Sequence, residues 1–555
     1  MTKSKIAIYQ VLVRLFQSKK STNIPDGDYH QNGSGKFNFF TKEVLEKIKT
    51  AGHTHIWYTG IIRHATTTDH KTLAAQDNCI VKGKAGSPYA ITDYFDVCPD
   101  LAESSTNRMQ EFEALLKRTK ETGLKSIIDF VPNHVSRAYK STKKPKHLPD
   151  LGENDNPQVH FNAQNNFYYL PRTKLDLQFC ENQEYKEEPA KVSGNDCFHH
   201  QPNKDDWYET IKLNYGVDVQ NQQSHFHPIP NTWQRMLEIL LFWADKNIDG
   251  FRCDMTEMVA VEFWEWVIPQ VKAKNPNIVF IAEIYQPHLY ESYIKQGGFD
   301  YLYDKVGLYD TLKRVIRNEA PASQISDVWK SLNGLDAYML RFLENHDEQR
   351  IASEYFASDT FAAMPAFLLS ACMHQGPIMS YFGQEIGENG LEPSGFSGND
   401  GRSSIFDYGS VPSISKLFFQ ENSLTEDESK LYKKQAEILN FCIKSPIIAH
   451  GAFYDLMWAN EKNPYFFHNH IYTFLRSYKG ENLLFIINFS HKAQQQKIII
   501  PEHALTFSEK KINHLKDICF IDTFTHKEIR INQKRIFQEG IAIEIEAYGY
   551  GIYAF

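Results

Sequence analysis

Short apolar runs alternate along the chain with longer stretches in which apolar residues return every third or fourth position. The runs begin with IAIYQVLVRLF at Ile6, HIWYTGI at His55, KSIIDFVPNH at Lys125 and GFRCDM at Gly250. They continue with IVFIAEIY at Ile278, FDYLYDK at Phe299, YMLRFLENHD at Tyr338 and PIMSYFGQEIG at Pro377, eight in all. Runs of this length, rich in β-branched and aromatic residues, predict buried strands. Between them, MQEFEALLKRTKETG sets Met109, Phe112, Leu115 and Leu116 on one stripe, and TWQRMLEILLFWADK does the same with Trp233, Met236, Leu237, Leu240 and Leu241. That spacing is an amphipathic helix. Strand alternating with helix predicts a parallel sheet, and eight such units predict a closed (β/α)8 TIM barrel. The rival, an open doubly wound sheet, is weakened because no Gly-x-Gly-x-x-Gly follows the first strand.

The rhythm breaks twice. Residues 135–230 are rich in Asn, Asp, His, Tyr and Pro, as in LGENDNPQVHFNAQNNFYYLPR from Leu151, and predict an irregular domain inserted after the third strand. Its aromatics, Phe167, Tyr168, Tyr169, Trp207 and Tyr208, are read mostly as the insertion's own small core. After about residue 445 the helical pattern gives way to HIYTFLRSYKGENLLFIINF from His470, two strands joined by a Lys-Gly turn. AIEIEAYGYGIYAF ends the chain in the same style, so 446–555 predict a small β-sandwich. The barrel is left with 1–134 and 231–445.

Composition narrows the function. The 555 residues are 42% apolar and 14% aromatic, enough for a large core with aromatics left over for binding surfaces. A net charge of −8 excludes a polyanionic partner such as nucleic acid. No apolar run is long enough to span a membrane, and the N-terminus lacks the apolar region and cleavage site of a signal peptide, so a cytoplasmic protein is expected. The eight cysteines are scattered without a Cys-x-x-Cys pair and are expected to be free thiols.

In such a barrel the reactive groups sit at the C-terminal ends of the strands. Polar residues arrive there after each apolar run: Asp129, Asn133 and His134 on the third strand, Arg252 and Asp254 on the fourth, Glu283 on the fifth, His346 and Asp347 on the seventh. Arg252 and Asp254 lie two apart and so share a face. Burying an unpaired charge is costly, so carboxylates converging on one rim need a cation, and Arg252 supplies it. Paired carboxylates are what glycoside cleavage uses, one as acid and one behind the ring. On this reading Arg252 keeps Asp254 ionised, Glu283 is the acid, and Asp129 is a structural partner of Arg252.

These motifs, DFVPNH, GFRCDMTEM, FIAEIY and FLENHD, resemble in kind and in order the four signature motifs of the α-amylase superfamily, glycoside hydrolase family 13. The resemblance spans nearly the whole chain and implies a retaining glycosidase of the α-amylase type acting on α-glucans. It gives Asp254 the role of nucleophile, Glu283 that of acid/base and Asp347 that of the third carboxylate. Arg252 orients the nucleophile, His134 and His346 bind hydroxyls of the sugar at the cleavage point, and Tyr89 stacks on its ring. The chain departs from the pattern where many members carry Lys-His after the nucleophile; Glu257 and Met258 stand there, Glu257 as a sugar ligand or a solvated rim acid. That departure opens cyclomaltodextrinase, neopullulanase and transglycosylase action beside hydrolysis of α-1,4 bonds. A non-catalytic sugar-binding protein on the same barrel is a rival of another class. No cofactor is needed for the chemistry. The family's structural calcium would take Asn133 as a ligand; the alternative makes Asn133 a loop-bracing amide.

Overall fold

The computed structural model describes residues 4–20, 22–390, 396, 398–420, 423–507 and 516–555. Eight parallel strands close into a barrel: β1 (Ala7–Leu12), β2 (His55–Thr59), β3 (Lys125–Phe130), β4 (Gly250–Cys253), β5 (Val279–Ala282), β6 (Tyr301–Tyr303), β7 (Met339–Phe342) and β8 (Ile378–Tyr381). Each falls within one of the apolar runs, and β1 pairs with β8 to shut the ring. The strands are buried on both faces because helices cover the outside, which is why they read as continuous apolar runs instead of alternating ones. Helix α1 (Arg108–Thr122) buries Phe112, Leu115 and Leu116, and α2 (Asn231–Asp245) buries Trp233, Met236 and Leu240, as their stripes predict. Gly250 opens β4 where a Cβ would press on Ile127 Cγ1 and the Val279 carbonyl at 3.1 Å each, so the neighbouring strands approach closely there.

The inserted region leaves the barrel after β3. A short ladder, His134–Ser136 against Thr210–Lys212, forms its stem, with His134 opposite Lys212. Cys79, Ile80, Leu175, Leu177, Ala190 and Tyr208 form a separate small core. Phe167, Tyr168, Tyr169 and Tyr208 are buried; Trp207 is only half-buried. One expectation fails here: Cys79 and Cys180 are joined in a disulfide between the loop after β2 and the insertion. The two lie 101 residues apart. No spacing rule pairs cysteines so distant, and only the fold brings them together.

The C-terminal region forms a six-stranded antiparallel sheet in the order β9 (Ala452–Asp455), β10 (Ile471–Tyr478), β11 (Glu481–Asn488), β16 (Tyr550–Ala554), β13 (Asp517–Asp522), β14 (Glu528–Asn532). A two-stranded ribbon, β12 (Gln494–Ile498) with β15 (Ile541–Ile545), completes it. The β10–β11 hairpin turns at Lys479-Gly480, both at positive φ (52° and 79°), the backbone a tight two-residue hairpin requires. Among the described residues no helix is long and apolar enough to cross a membrane.

Candidate active site

The carboxyl ends of the strands open into a cavity of about 210 Å³. Asp254, Glu283 and Asp347 reach it from β4, β5 and β7, with Tyr89 and His134 beside them. Arg252 lies beneath, completely buried. Its neighbours across the ladders are Asp129 on β3 and Ile281 on β5. Strand alternation puts Arg252 and Asp254 on the same side, and Arg252 Nη1 donates to Asp254 Oδ1 at 2.8 Å. Nη2 stands 2.6 Å from Glu283 Oε1, and Nη1 stands 3.9 Å from Asp129 Oδ1. Nε donates to the Tyr303 hydroxyl at 3.1 Å. The ring faces of Trp57, Tyr89 and Tyr303 stand 5.3–5.4 Å from the guanidinium carbon. Burial works against the charge of Arg252, but Glu283, Tyr303, Tyr89 and Asp254 outweigh it and raise its pKa.

One guanidinium therefore serves three carboxylates. Asp129 also accepts from the Gly60 N–H at 2.9 Å and the Tyr89 hydroxyl at 3.3 Å, yet burial pushes it up to about 6. Its place under the site, away from the cavity lining, fits the structural part expected of it. The pull of Arg252 on Asp254 is opposed. Burial, and then the Glu283 carboxylate, push Asp254 well above the usual carboxylate range, against the pull of Arg252. The reason lies in how the donors are divided. Glu283 accepts the Met255 N–H at 2.8 Å and the Tyr285 hydroxyl at 2.7 Å, and Arg252 Nη2 stands close by as an ion-pair partner without a hydrogen bond. Asp254 has Arg252 on Oδ1, while Oδ2 is buried without a hydrogen-bond partner among the described residues. Arg252 thus offsets burial and the Glu283 charge at Asp254 only in part.

The Met255 donor depends on an unusual backbone. Met255 has φ 40° and ψ 47°, the left-handed region, directly after Asp254. A non-glycine residue held there costs on the order of 1–3 kcal/mol. The turn aims its N–H at Glu283 Oε2 and starts the short helical turn Thr256–Met258.

His346 Nε2 meets the Tyr89 hydroxyl at 2.5 Å and Asp347 Oδ2 at 3.1 Å, and its Nδ1 meets Gln10 Nε2 at 2.8 Å. Burial lowers both His346 and His134 to about 3, so both imidazoles are neutral near pH 7. His134 packs against Trp207 with ring centroids 5.1 Å apart. Glu257 lies outside the cavity lining: its Oε2 accepts from the backbone N–H groups of Tyr285 and Gln286, both at 3.0 Å, and braces the chain after β5.

Asn133 is not free to bind a metal. Its Nδ2 donates to the Gly194 carbonyl at 2.8 Å, and its Oδ1 accepts from Lys212 Nζ at 3.0 Å. Lys212 Nζ is also 2.5 Å from Asp196 Oδ1. A divalent cation on the Asn133 oxygen would sit beside an ammonium group, so this donor set does not fit calcium.

Sequence reasoning missed Tyr285, Tyr303, Gln10 and the Lys82–Glu209 pair, whose 3.3 Å contact lines the cavity next to Trp207. Two signals were present. Tyr285 follows Glu283 by two residues, the same-face spacing of a strand, and Gln10 is a polar residue inside an apolar run. Lys82 and Glu209 come from separate loops and carry no such mark.

The model of the "Alpha amylase, catalytic domain" matches residues 11–445. Alpha-amylase 3 of Dictyoglomus thermophilum is 22% identical over 55% of this chain and 54% of its own length. Alpha-amylase MalA of Haloarcula japonica is 20% identical over 69% of this chain and 44% of its own. The chain thus spans about half the length of these curated relatives. Among solved structures, the maltogenic α-amylase AmyB of Thermotoga neapolitana superimposes with a TM-score of 0.63 at 17% identity, covering 100% of this chain and 99% of that one. The acarbose complex of the Geobacillus thermoleovorans α-amylase gives 0.64 at 17% identity, covering 99% and 98%. At such identities the structural likeness establishes the fold alone; the family follows from the match across most of the barrel. This chain belongs to the family defined by the α-amylase catalytic domain, glycoside hydrolase family 13.

Proposed function

We propose that the protein is a retaining α-glucoside hydrolase that cleaves α-1,4 bonds in starch-like glucans or maltooligosaccharides. The observation that carries this reading is the single guanidinium of Arg252 spanning Asp254 and Glu283 at the floor of the cavity. Both carboxyl groups then face one sugar-sized space. In the first step Glu283 gives its proton to the glycosidic oxygen, Asp254 Oδ2 bonds to C1, and the C1–oxygen bond breaks to release the leaving sugar as an alcohol. In the second, the Glu283 carboxylate takes a proton from water, the water oxygen bonds to C1, and the bond from C1 to Asp254 breaks. The unpartnered Oδ2 is the oxygen left free to attack. The reaction needs one proton on the pair, carried on Glu283 when attack begins. Asp347 and the neutral His134, which line the cavity, would bond sugar hydroxyls, Tyr89 would offer its ring to the pyranose, and His346, buried behind Tyr89, would act through its contact with that hydroxyl.

Glycosyl transfer, and cyclomaltodextrinase or neopullulanase action, would use the same two carboxyl groups and differ in what binds beyond the cleavage point. Tying up Glu257 leaves that side to Trp207, Tyr285 and Phe406, which favours an apolar grip on the leaving sugar. Product analysis on maltoheptaose, cyclodextrin and pullulan separates these activities, and NMR of the freshly released anomer tests the mechanism. Retained α-configuration is expected. An inverted product, or equal release of reducing sugar by wild type and Asp254→Asn, would overturn the proposal; the second result would favour a sugar-binding protein without catalysis.

A further inference from the structure

Where the insertion meets the barrel, an ammonium group stands at the place the family resemblance gives to a metal. We infer that Lys212 is the built-in cation of this seam and replaces a bound divalent ion there. This inference does not rest on the proposed reaction.

Lys212 Nζ bridges the two sides. It donates to Asn133 Oδ1 at 3.0 Å on the barrel side and stands 2.5 Å from Asp196 Oδ1 on the insertion side. Its side chain is only 8% exposed. The backbone cannot carry it away, because Lys212 pairs with His134 in the stem ladder and its N–H donates to the Val192 carbonyl at 2.9 Å. The loop holding Asp196 is drawn in just as closely. Gly194 accepts from Asn133 Nδ2 through its carbonyl and donates its N–H to Thr210 Oγ1 at 3.2 Å. A Cβ on Gly194 would meet Thr210 Oγ1 at 2.5 Å and the His134 Cβ at 2.9 Å, so only glycine allows this approach.

The chemistry argues the same way. Calcium takes six to eight oxygen ligands at roughly 2.3–2.6 Å. Here the Asn133 oxygen is spent on an ammonium, and the Gly194 carbonyl is spent on the Asn133 amide. An ammonium has three donors and needs far fewer partners. It also brings its charge with the chain, so the seam closes without ion uptake. A consequence reaches the cavity: after burial itself, Lys212 is the largest influence holding His134 in its neutral form.

The test uses thermal unfolding of the full chain with added chelator or calcium, on wild type, Lys212→Met, Asp196→Asn and the double variant. Wild type is expected to keep its midpoint with chelator and with calcium. Lys212→Met is expected to lose about 2 °C or more, and adding Asp196→Asn to it is expected to cost little further. A Lys212→Met midpoint equal to wild type, or fully additive losses, would overturn the inference. So would a wild-type midpoint that falls with chelator, recovers with calcium and loses this response in Asp196→Asn. Should Lys212→Met not fold, Asp196→Asn, altered at a 47% exposed side chain, still carries the calcium comparison.

Discussion

Arg252 under the cavity and Arg137 in the insertion are both buried and both face carboxylates, yet their surroundings are opposite. Arg137 Nη1 binds Glu187 Oε1 at 2.6 Å, Nη2 donates to Ser193 Oγ at 2.8 Å and Nε donates to the Tyr208 carbonyl at 2.5 Å. Glu187 also accepts the Lys191 N–H and the Tyr185 hydroxyl, and Lys191 Nζ stands 3.6 Å away. There, two cations attend one carboxylate. Around Arg252, one cation attends three. The first arrangement satisfies every charge and holds a domain together. The second leaves surplus negative charge in a low dielectric, which together with burial pushes the pKa of Asp254 upward. A buried ion pair by itself therefore says little about purpose; the ratio of charges and the unpartnered oxygen on Asp254 distinguish the two places.

Substitutions can break this contrast. The largest effect is expected for Asp254→Asn and Glu283→Gln, each lowering kcat on soluble starch by about 10³-fold or more while sugar binding persists. Calorimetry with a maltooligosaccharide measures the binding that remains. Next, Glu187→Ala leaves Arg137 buried without its carboxylate and should cost about 3 kcal/mol of stability, read from denaturant unfolding. Any activity loss there should track the unfolded fraction. A smaller effect is expected for Tyr285→Phe, which removes one hydrogen bond to a charged group; kcat should fall by about tenfold, equivalent to about 1.4 kcal/mol.

The least obvious prediction concerns stability against pH. The folded pKa of Asp254 is raised above its unfolded value, so its stabilising contribution is present at acid pH and lost as pH rises through the folded pKa. Asp254→Asn removes that loss, so the variant should unfold at a higher temperature than wild type above pH 7, with the gap closing toward pH 4. A gap that widens in acid would contradict the charge imbalance around Arg252.

Much of the site was legible in the sequence because barrel strands are apolar until their last residues. Asp254, Glu283 and Asp347 stand out for that reason, and the eight strands were located by the same signal. What stayed hidden depends on approach through space. Cys79 meets Cys180, Lys212 meets Asn133, and Arg137 meets Glu187 only once the insertion has folded back. The upward push on Asp254 was not legible for a related reason. Two residues on one strand suggest a pair, but the outcome depends on how many other carboxylates, from other strands, share the same arginine.

The left-handed turn at Met255 places a local conformational burden one residue beyond Asp254. A glycine there would adopt it freely, but would also let the chain relax out of it. With methionine the left-handed backbone is held at a cost, and its amide donates to Glu283 Oε2 at 2.8 Å. A single backbone turn thus ties the end of β4 to Glu283 after β5, which makes residue 255, itself on the cavity lining, a lever on the spacing of the two carboxyl groups.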